Sequence, residues 1–433
     1  MKKNIFFWIM ALMICTIVSS CADNANFELE EQAQKRVQLS EKLSHEVTQA
    51  EARQSLEKFI ADMKISSTRS GEQKCLPPIT SVYTRGTATL NTRAGEEIEP
   101  YFHIFNFGNA EGFAIMSGDD RVEPLLALTF QGQLTPDTEI DNPGFKIAYK
   151  RMEDYYVAKT MGGPSIDIDI PIPPKEPLPD PIQTIEYIEM PLGYCPVKWD
   201  QFSPYNRYCH AQEGSEATAG CASIALAQLM AIYKYPDSYR YFSYSIEETF
   251  DWVDMVSRPA SSTGIDQIAR LVYNLGRPNN LCMNYKKGSD GGSGSDPANV
   301  PRTLRNFGYE NGGRIIDYNV DSVVLELMQG YPLLLRGKTA EGSGHIWLGH
   351  GLMVRSVSLP LYAPSLQIIW TDPVDTYYIL CNWGWKGNSD GYYLSNVFNT
   401  IEGPVFPDPD SPIEVDGDYN FQTNIQAYIN IRR

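Results

Sequence analysis

The segment TAGCASIALAQLMAIYKYP, residues 218–236, constrains the fold of this 433-residue chain more than any other stretch. Neither glycine nor proline occurs from Cys221 to Tyr233, so the pattern predicts a helix that begins at or beside Cys221 and stops at Pro236. The helix is apolar nearly all round, which is typical of a helix buried in the centre of a domain. A thiol in its first turn would face the positive end of the helix dipole, which lowers a thiol pKa. Cys221 is therefore a candidate nucleophile, although most free cysteines are simply buried.

A thiolate nucleophile needs a base, usually histidine, and a group that orients that base. The segment GSGHIWLGHGLMV predicts a strand, and His345 and His350 are five residues apart, so they face opposite sides of it. His210 lies in a loop without regular context. An asparagine, Asn382, follows in the strand-like run YYILCNWGWKG. The order Cys221, His345, Asn382 matches papain-like cysteine proteases, in which histidine and asparagine lie far downstream of the nucleophile.

Four segments together resemble the streptopain family of papain-fold cysteine proteases: AGCASIALAQLMAIYKYP, GHIWLGHG, CNWGWKGNSDGYY and, upstream, KWDQFSPYN. The resemblance implies an α+β fold, in which a central helix packs against an antiparallel sheet, preceded by a small α+β pro-domain. It implies that His345 pairs with Cys221 and that Asn382 orients the imidazole ring. Gln201 would donate to the oxyanion beside the backbone N–H of Cys221. Trp383 would shield the Asn382–His345 hydrogen bond from water.

The same resemblance gives the remaining site predictions. Gly220 and Gly344, each directly before a predicted catalytic residue, are expected to support the substrate cleft. Neither a metal nor an organic cofactor is required by this chemistry. The glycine- and serine-rich stretch Lys286–Pro297 is expected either to border the cleft or to be a plain flexible connection.

The first half of the chain has its own pattern. Val47–Lys64 predicts an amphipathic helix, the stretch from Pro100 predicts a meander of antiparallel strands, and Gly144–Gly162 predicts a second helix. The segment YFHIFNFGNAEGFAIMSGDDRVEPLLALT also resembles the streptopain-type pro-domain, which in some members inhibits a protease. The pro-domain is therefore expected to be an intramolecular inhibitor of this chain.

The N-terminus predicts export. Lys2 and Lys3 precede an apolar stretch, residues 5–18, that is too short to span a bilayer comfortably and suits a secretory signal. It runs into Val18-Ser19-Ser20-Cys21, which resembles a bacterial lipobox, so Cys21 is expected to be lipidated. No later segment is long and apolar enough to be transmembrane. The expected location is the cell envelope, at the outer membrane or cell surface, or outside the cell after processing.

Prolines in Gly163–Pro181 exclude a helix or a central strand there and predict an exposed strap open to proteolysis. The expected organisation is a lipoprotein signal peptide (1–21), an inhibitory pro-domain (22–163), a proline-rich linker with the activation cleavage (164–185) and a papain-like peptidase domain (186–433).

Net charge and cysteine content limit the binding partners and the disulfides that this chain can have. The formal net charge of −17 repels phosphate backbones, which excludes nucleic acid as a partner. Of eight cysteines, six follow the signal and are too scattered for a dense disulfide framework. One or two disulfides are compatible with the sequence, and Cys195 with Cys209 is the nearest pair.

The sequence thus predicts the lipid-anchored zymogen of a cysteine endopeptidase, which acts on protein or peptide substrates. One alternative is a surface lipoprotein that keeps the papain-like fold for adhesion or protease inhibition. An intact Cys–His–Asn set argues against it. The other alternative is an amidase acting on cell-wall peptides, against which the tryptophan-rich strand and the pro-domain argue.

Overall fold

The structure, a computed structural model, describes residues 45–70, 76–86, 101–161, 179–241, 247–287, 292–338, 344–362, 367–399 and 425–433. The predicted signal, the predicted lipidation site Cys21 and most of the proline-rich strap lie outside these residues. Residues 47–87 and 97–433 form one compact unit, which contains the helices and strands of the described ranges. The other unit, residues 1–46 and 88–96, contains only two described residues.

The first part of the chain forms two helices and a four-stranded meander. The sequence predicts both helices and the strands after Pro100, but it does not predict the first strand, Ile79–Arg85. Thr48 and Glu51 form a capping box at the first helix, because the Glu51 carboxylate accepts from the Thr48 N–H and the Thr48 hydroxyl accepts from the Glu51 N–H. Asn142 caps the second helix by accepting from the backbone N–H groups of Gly144 and Phe145. The elements are α1 (Gln49–Ser70), β1 (Ile79–Arg85), β2 (Phe102–Phe107), β3 (Phe113–Ser117), β4 (Leu125–Thr129) and α2 (Pro143–Met161).

The second part holds the predicted central helix, α3, and the longest strands. Its helices are α3 (Cys221–Tyr233), α4 (Trp252–Met255), α5 (Ser262–Gly276), α6 (Asn299–Asn306), α7 (Val320–Met328) and the 3₁₀ helix Ser395–Phe398. Its strands are β5 (Ile182–Tyr187), β6 (Ser238–Tyr239), β7 (Glu248–Thr249), β8 (Arg314–Asp317), β9 (Leu333–Lys338), β10 (Gly344–Ser358), β11 (Pro360–Tyr362), β12 (Ile368–Trp370), β13 (Val374–Asn382), β14 (Gly391–Leu394) and β15 (Gln426–Ile429).

One antiparallel sheet runs through both parts. Among the described residues its order is β1-β2-β3-β4-β14-β13-β10-β9-β15-β8, and β5 pairs with β10 as well. The two parts join where β4 pairs with β14, with Thr129 opposite Gly391 and Leu128 opposite Tyr392. The predicted α+β class, with a helix against an antiparallel sheet, is confirmed. The domain boundaries stay predictions, since one sheet crosses from the first part to the second.

Helix α3 is the centre of the second part. Every residue after Cys221, from Ala222 to Tyr233, is buried, which explains why the sequence is apolar on all sides. The helix packs against β10 and α5, and burying one leucine or isoleucine there contributes about 1.5–3 kcal/mol. It ends at Tyr233 rather than at Pro236, because Lys234 turns into the left-handed region and its N–H bonds back to the Met230 carbonyl.

Candidate active site

Cys221 is the first residue of α3. It is half-buried and carries a free thiol. Gly220, directly before it, has φ of +84°, and a Cβ built there would lie 2.8 Å from the sulfur of Met283. Both facts require glycine at this position, because the turn into the helix needs a positive φ and passes close to Met283.

The thiol pKa differs from the sequence expectation. Burial raises the pKa of Cys221 above its usual range, although backbone N–H groups of Ile346, Ala222 and Cys221 itself act in the opposite direction. The helix start favours the thiolate as predicted, but removal of the sulfur from water outweighs it. In this arrangement the thiol is held protonated.

His345 lies at the beginning of β10, one residue before Ile346. Its side chain is buried, and its Nε2 lies 3.0 Å from the backbone carbonyl of Trp383. Burial lowers the pKa of His345 to about 4, and the carbonyl only partly offsets this. The imidazole is therefore neutral at pH 7, with Nε2–H donating to Trp383, and it does not supply the positive charge that a thiolate partner needs.

The first turn of α2 covers His345. A Cβ built on Gly144 would lie 2.7 Å from His345 Cδ2, 3.0 Å from His345 Nε2 and 2.4 Å from Trp383 Cε3. Only a hydrogen at Gly144 leaves room for both rings. The first part of the chain therefore contacts the predicted base directly through Gly144, a contact that the sequence reasoning missed.

Asn382 is the last residue of β13, which is paired with β10 so that Asn382 lies opposite Leu348. Its amide nitrogen donates to the Val197 carbonyl at 3.0 Å and approaches the Cys195 sulfur at 3.7 Å. Its oxygen accepts from the Gly384 N–H at 3.0 Å. The hydrogen bonds of the Asn382 side chain thus go to groups other than the imidazole, whereas the family resemblance implies a hydrogen bond to His345.

Trp383 lies between β13 and β14 in the chain, and hydrogen bonds hold it in place. Its ring nitrogen donates to the Ser389 carbonyl at 2.8 Å, and its backbone N–H donates to the Asp390 carboxylate at 2.9 Å. Burial raises the pKa of Asp390 to about 7, and the N–H of Trp383 and the charge of Lys198 only partly oppose the shift. The backbone of Trp383 therefore connects the half-buried carboxyl of Asp390 to the buried imidazole of His345. Sequence reasoning missed Asp390, which carries no motif of its own.

The loop after Trp383 is held by the first part of the chain. The Ser389 N–H donates to the Gln131 carbonyl at 3.0 Å, and the Asn142 amide donates to the Asn388 carbonyl at 3.0 Å. The residue that caps α2 therefore also ties down the loop on which the position of Trp383 depends.

Gln201 lies beside the start of α3. Its backbone carbonyl accepts from the Ala219 N–H at 2.8 Å, and its side chain is buried. The Gln228 amide, inside α3, donates to the Trp199 carbonyl at 3.0 Å. These bonds fix the Gln201 segment next to the turn that carries Cys221.

The other histidines of the second part have different surroundings. His350 is buried, and its Nδ1 accepts from the Cys195 N–H at 3.0 Å. His210 is exposed in a loop, where it forms an isolated bridge with Glu216. His345 is the histidine that directly precedes Ile346, whose backbone N–H is directed at the Cys221 sulfur, while Gly344 is exposed beside it.

Two other sequence predictions concern the disulfides and the glycine-rich loop. The five cysteines in the described ranges are free thiols, so Cys195 and Cys209 are not joined. In the described part of the loop, the Ser293 hydroxyl donates to the Thr218 carbonyl at 2.6 Å, and the Thr218 hydroxyl accepts from the Ser293 N–H at 2.8 Å. The loop is thus fastened to the turn before Cys221.

Comparison with known proteins agrees with this geometry. Residues 199–393 match the Peptidase C10 family, and residues 44–156 match the Spi protease inhibitor family. Over these ranges the second part of the chain is similar to cysteine peptidases, and the first part is similar to a protease inhibitor. The similarity to the Peptidase C10 family confirms the family resemblance that the sequence predicts, and it agrees with the predicted cysteine-peptidase class.

Individual relatives are distant. The thiol protease/hemagglutinin PrtT of Porphyromonas gingivalis is 26% identical over 334 residues, which is 71% of this chain but only 35% of PrtT. Streptopain of Streptococcus pyogenes is 21% identical over 346 residues, 70% of this chain and 76% of streptopain. The chain thus spans about a third of the length of PrtT.

Two solved structures from Prevotella intermedia also align with the chain. A mutant prointerpain A fragment is 21% identical, with a TM-score of 0.47, covering 80% of this chain and 98% of the fragment. Active interpain A cysteine protease is 24% identical, with a TM-score of 0.34, covering 46% of this chain and 84% of interpain A.

Proposed function

We propose that this chain is the zymogen of a cysteine endopeptidase, with Cys221 as nucleophile and His345 as base. The observation that carries the proposal is the contact between α3 and β10. The backbone N–H of Ile346 is directed at the Cys221 sulfur, so the residue next to His345 lies against the thiol. A nucleophile at a helix start beside a histidine strand is the arrangement that thiolate acyl transfer needs.

The reaction proceeds by acyl transfer. Cys221 gives its proton to His345, and its sulfur bonds to the substrate carbonyl carbon. The Gln201 side chain and the Cys221 N–H stabilise the oxyanion. The C–N bond then breaks as His345 protonates the leaving amine. Water attacks the thioester, His345 takes its proton and returns it to the sulfur, and the carboxylic acid leaves.

The described arrangement is the inactive state. His345 is neutral and bonded to Trp383, the Cys221 thiol is protonated, and Gly144 occupies the space against the imidazole. Activation requires the inhibitor segment to leave after cleavage in the linker 164–185. Orientation of His345 by Asn382 requires in addition that the Asn382 amide turns from the Val197 carbonyl towards the imidazole.

Epoxide labelling of the thiols tests this function. The full chain is treated with an epoxide inhibitor of papain-like enzymes before and after limited proteolysis of the linker, and mass spectrometry locates the adduct. We expect an adduct on Cys221 after cleavage only, and none in His345→Ala. Cys282, an exposed free thiol, serves as the internal control for ordinary reactivity. A cleaved, folded chain that labels Cys282 but not Cys221 would refute the proposal.

We further propose export and lipid attachment at Cys21, supported by the lipobox-like Val18-Ser19-Ser20-Cys21. The expected substrates are proteins or peptides outside the cell. None of the helices in the described ranges is sufficiently long and apolar to cross a bilayer.

Fatty-acid incorporation tests the lipid. In a bacterial host fed a labelled fatty acid, the wild-type chain should carry the label covalently and Cys21→Ser should not. Cys15→Ser is the matched control, because it removes the other thiol of the predicted signal peptide and should keep the label. Equal label in the Cys21 and Cys15 variants contradicts lipid attachment at Cys21.

A further inference from the structure

Exposed apolar side chains cluster at one end of the main sheet. Ile182 pairs with Ser358 at the end of β10, Val374 pairs with Val357, and the β11–β12 hairpin follows directly. We call this cluster the apolar tip. Its members are between 41% and 67% exposed, and they are Ile182, Leu359, Leu361, Ile368, Ile369, Trp370 and Val374.

Both faces of the hairpin are apolar. Leu361 lies opposite Ile369, so these two side chains share one face. Trp370, the next residue along β12, points to the other face because side chains alternate along a strand. All three are more than 40% exposed. A protein surface docked on the hairpin would cover one face and leave the other in water. Apolar residues on both faces favour surroundings that enclose the hairpin.

Charge is missing from the apolar tip but not from its flanks. Residues 356–362 and 367–371 contain no charged side chain, in a chain that is 21% charged. Arg355 precedes them, and Asp372 and Asp375 follow. Tryptophan and aliphatic side chains without charges are what the interface of a bilayer accepts. The flanking acids and the net charge of −17 exclude attraction to anionic lipids as the driving force.

We propose that the apolar tip inserts into a lipid bilayer and holds the protein against the membrane. The proposal rests on the proposed export and lipid attachment at Cys21, which would bring the chain to a membrane. An extended chain of the length from Cys21 to Val47 spans at most about 90 Å, which is about twice the length of β10. Stable membrane anchoring commonly takes a second signal beside a lipid, and the tip supplies it.

Insertion of the tip leaves the active site clear of the lipid. His345 lies at one end of β10 and Ser358 at the other. Ser358 lies thirteen positions after His345 along the strand, which is a distance of about 40 Å. The tip therefore anchors the protein at the end of β10 away from His345.

Vesicle binding of the unlipidated chain tests the tip. The protein begins at residue 22, since residues 1–21 lie outside the described fold, and is sedimented with phosphatidylcholine vesicles at low and high salt. We expect binding that is insensitive to salt. Leu361→Ser/Ile369→Ser should lower the partition coefficient by at least about tenfold, or about 1.4 kcal/mol. Val253→Ser/Leu325→Ser is the matched control, because it removes exposed apolar side chains from α4 and α7 and should bind like wild type.

Each contrary outcome overturns the lipid assignment. The first is absence of vesicle binding by the wild type. The second is binding by the Leu361/Ile369 variant that equals that of the wild type. The third is a loss of binding by the Val253/Leu325 control as large as that of the Leu361/Ile369 variant. If the tip variant instead abolishes concentration-dependent self-association, the tip is an interface between copies. Equal thermal unfolding midpoints show that the variants fold. Cys221→Ala should bind vesicles like wild type, so failure of the protease proposal and failure of the membrane proposal give different results.

Discussion

Replacement of His345 by alanine lowers kcat/KM of the cleaved enzyme for a peptide substrate by about 10⁴-fold, and Cys221→Ala lowers it at least as much. The reason is that proton transfer from the thiol and to the leaving amine both pass through this imidazole. The measurement is the initial rate of peptide hydrolysis after the linker has been cut. Because both residues act as one unit, the double variant should be no slower than either single variant.

Substitution of the other proposed site residues should reduce activity by less than substitution of His345 or Cys221. Gln201→Ala removes one oxyanion donor and should cost about 10²–10³-fold, mainly in kcat. Asn382→Ala should cost about 10²-fold if the amide turns to the imidazole after cleavage, because a misplaced base loses that much. A fully active Asn382→Ala enzyme would mean that the bond to Val197 persists after activation.

Matched controls come from the same domain. His210→Ala removes an exposed histidine, and Cys282→Ala removes an exposed thiol. Neither should change kcat/KM. Loss of activity in His210→Ala together with full activity in His345→Ala would show that His210 is the base. The proposed assignment of the whole site would then be wrong.

Local patterns predicted the elements that position this site. The all-round apolar run after Cys221 predicted a buried helix, because no amphipathic surface helix has that composition, and α3 is buried from Ala222 onward. The strand pattern around His345 and the one ending at Asn382 predicted β10 and β13. These signals are short-range, so the sequence carries them directly.

Contacts between distant segments were not predictable in the same way. The sequence predicts a helix from Gly144, and α2 begins one residue earlier, at Pro143, but nothing in that pattern indicates that Gly144 would lie on His345. The pairing of β4 with β14 and the bond from Asn382 to Val197 are similar cases. The pKa of Cys221 shows the physical reason: the helix start is local, whereas the burial that outweighs it comes from the tertiary fold.

Gly144→Leu makes the uncleaved chain reactive at Cys221. A Cβ at this position would lie 2.4 Å from the Trp383 ring and 2.7 Å from the His345 ring, and both rings are buried. Such overpacking costs about 1–3 kcal/mol, and the strain is relieved when the start of α2 moves away from the imidazole. The epoxide labelling rate of Cys221 without proteolysis should rise by at least about tenfold, which corresponds to about 1.4 kcal/mol.

Two further variants separate release of the inhibitor segment from general unfolding. Asn142→Ala should act in the same direction, because it removes the cap of α2 and the bond to the Asn388 carbonyl, at a cost of about 1 kcal/mol. Lys146→Ala is the matched control, since Lys146 is an exposed residue in the first turns of the same helix and should leave labelling unchanged. Peptide hydrolysis by the uncleaved Gly144→Leu chain should appear with the labelling, because an unfolded chain exposes the thiol but hydrolyses nothing. A folded Gly144→Leu chain that labels at the wild-type rate would show that the Gly144 contact does not restrain His345.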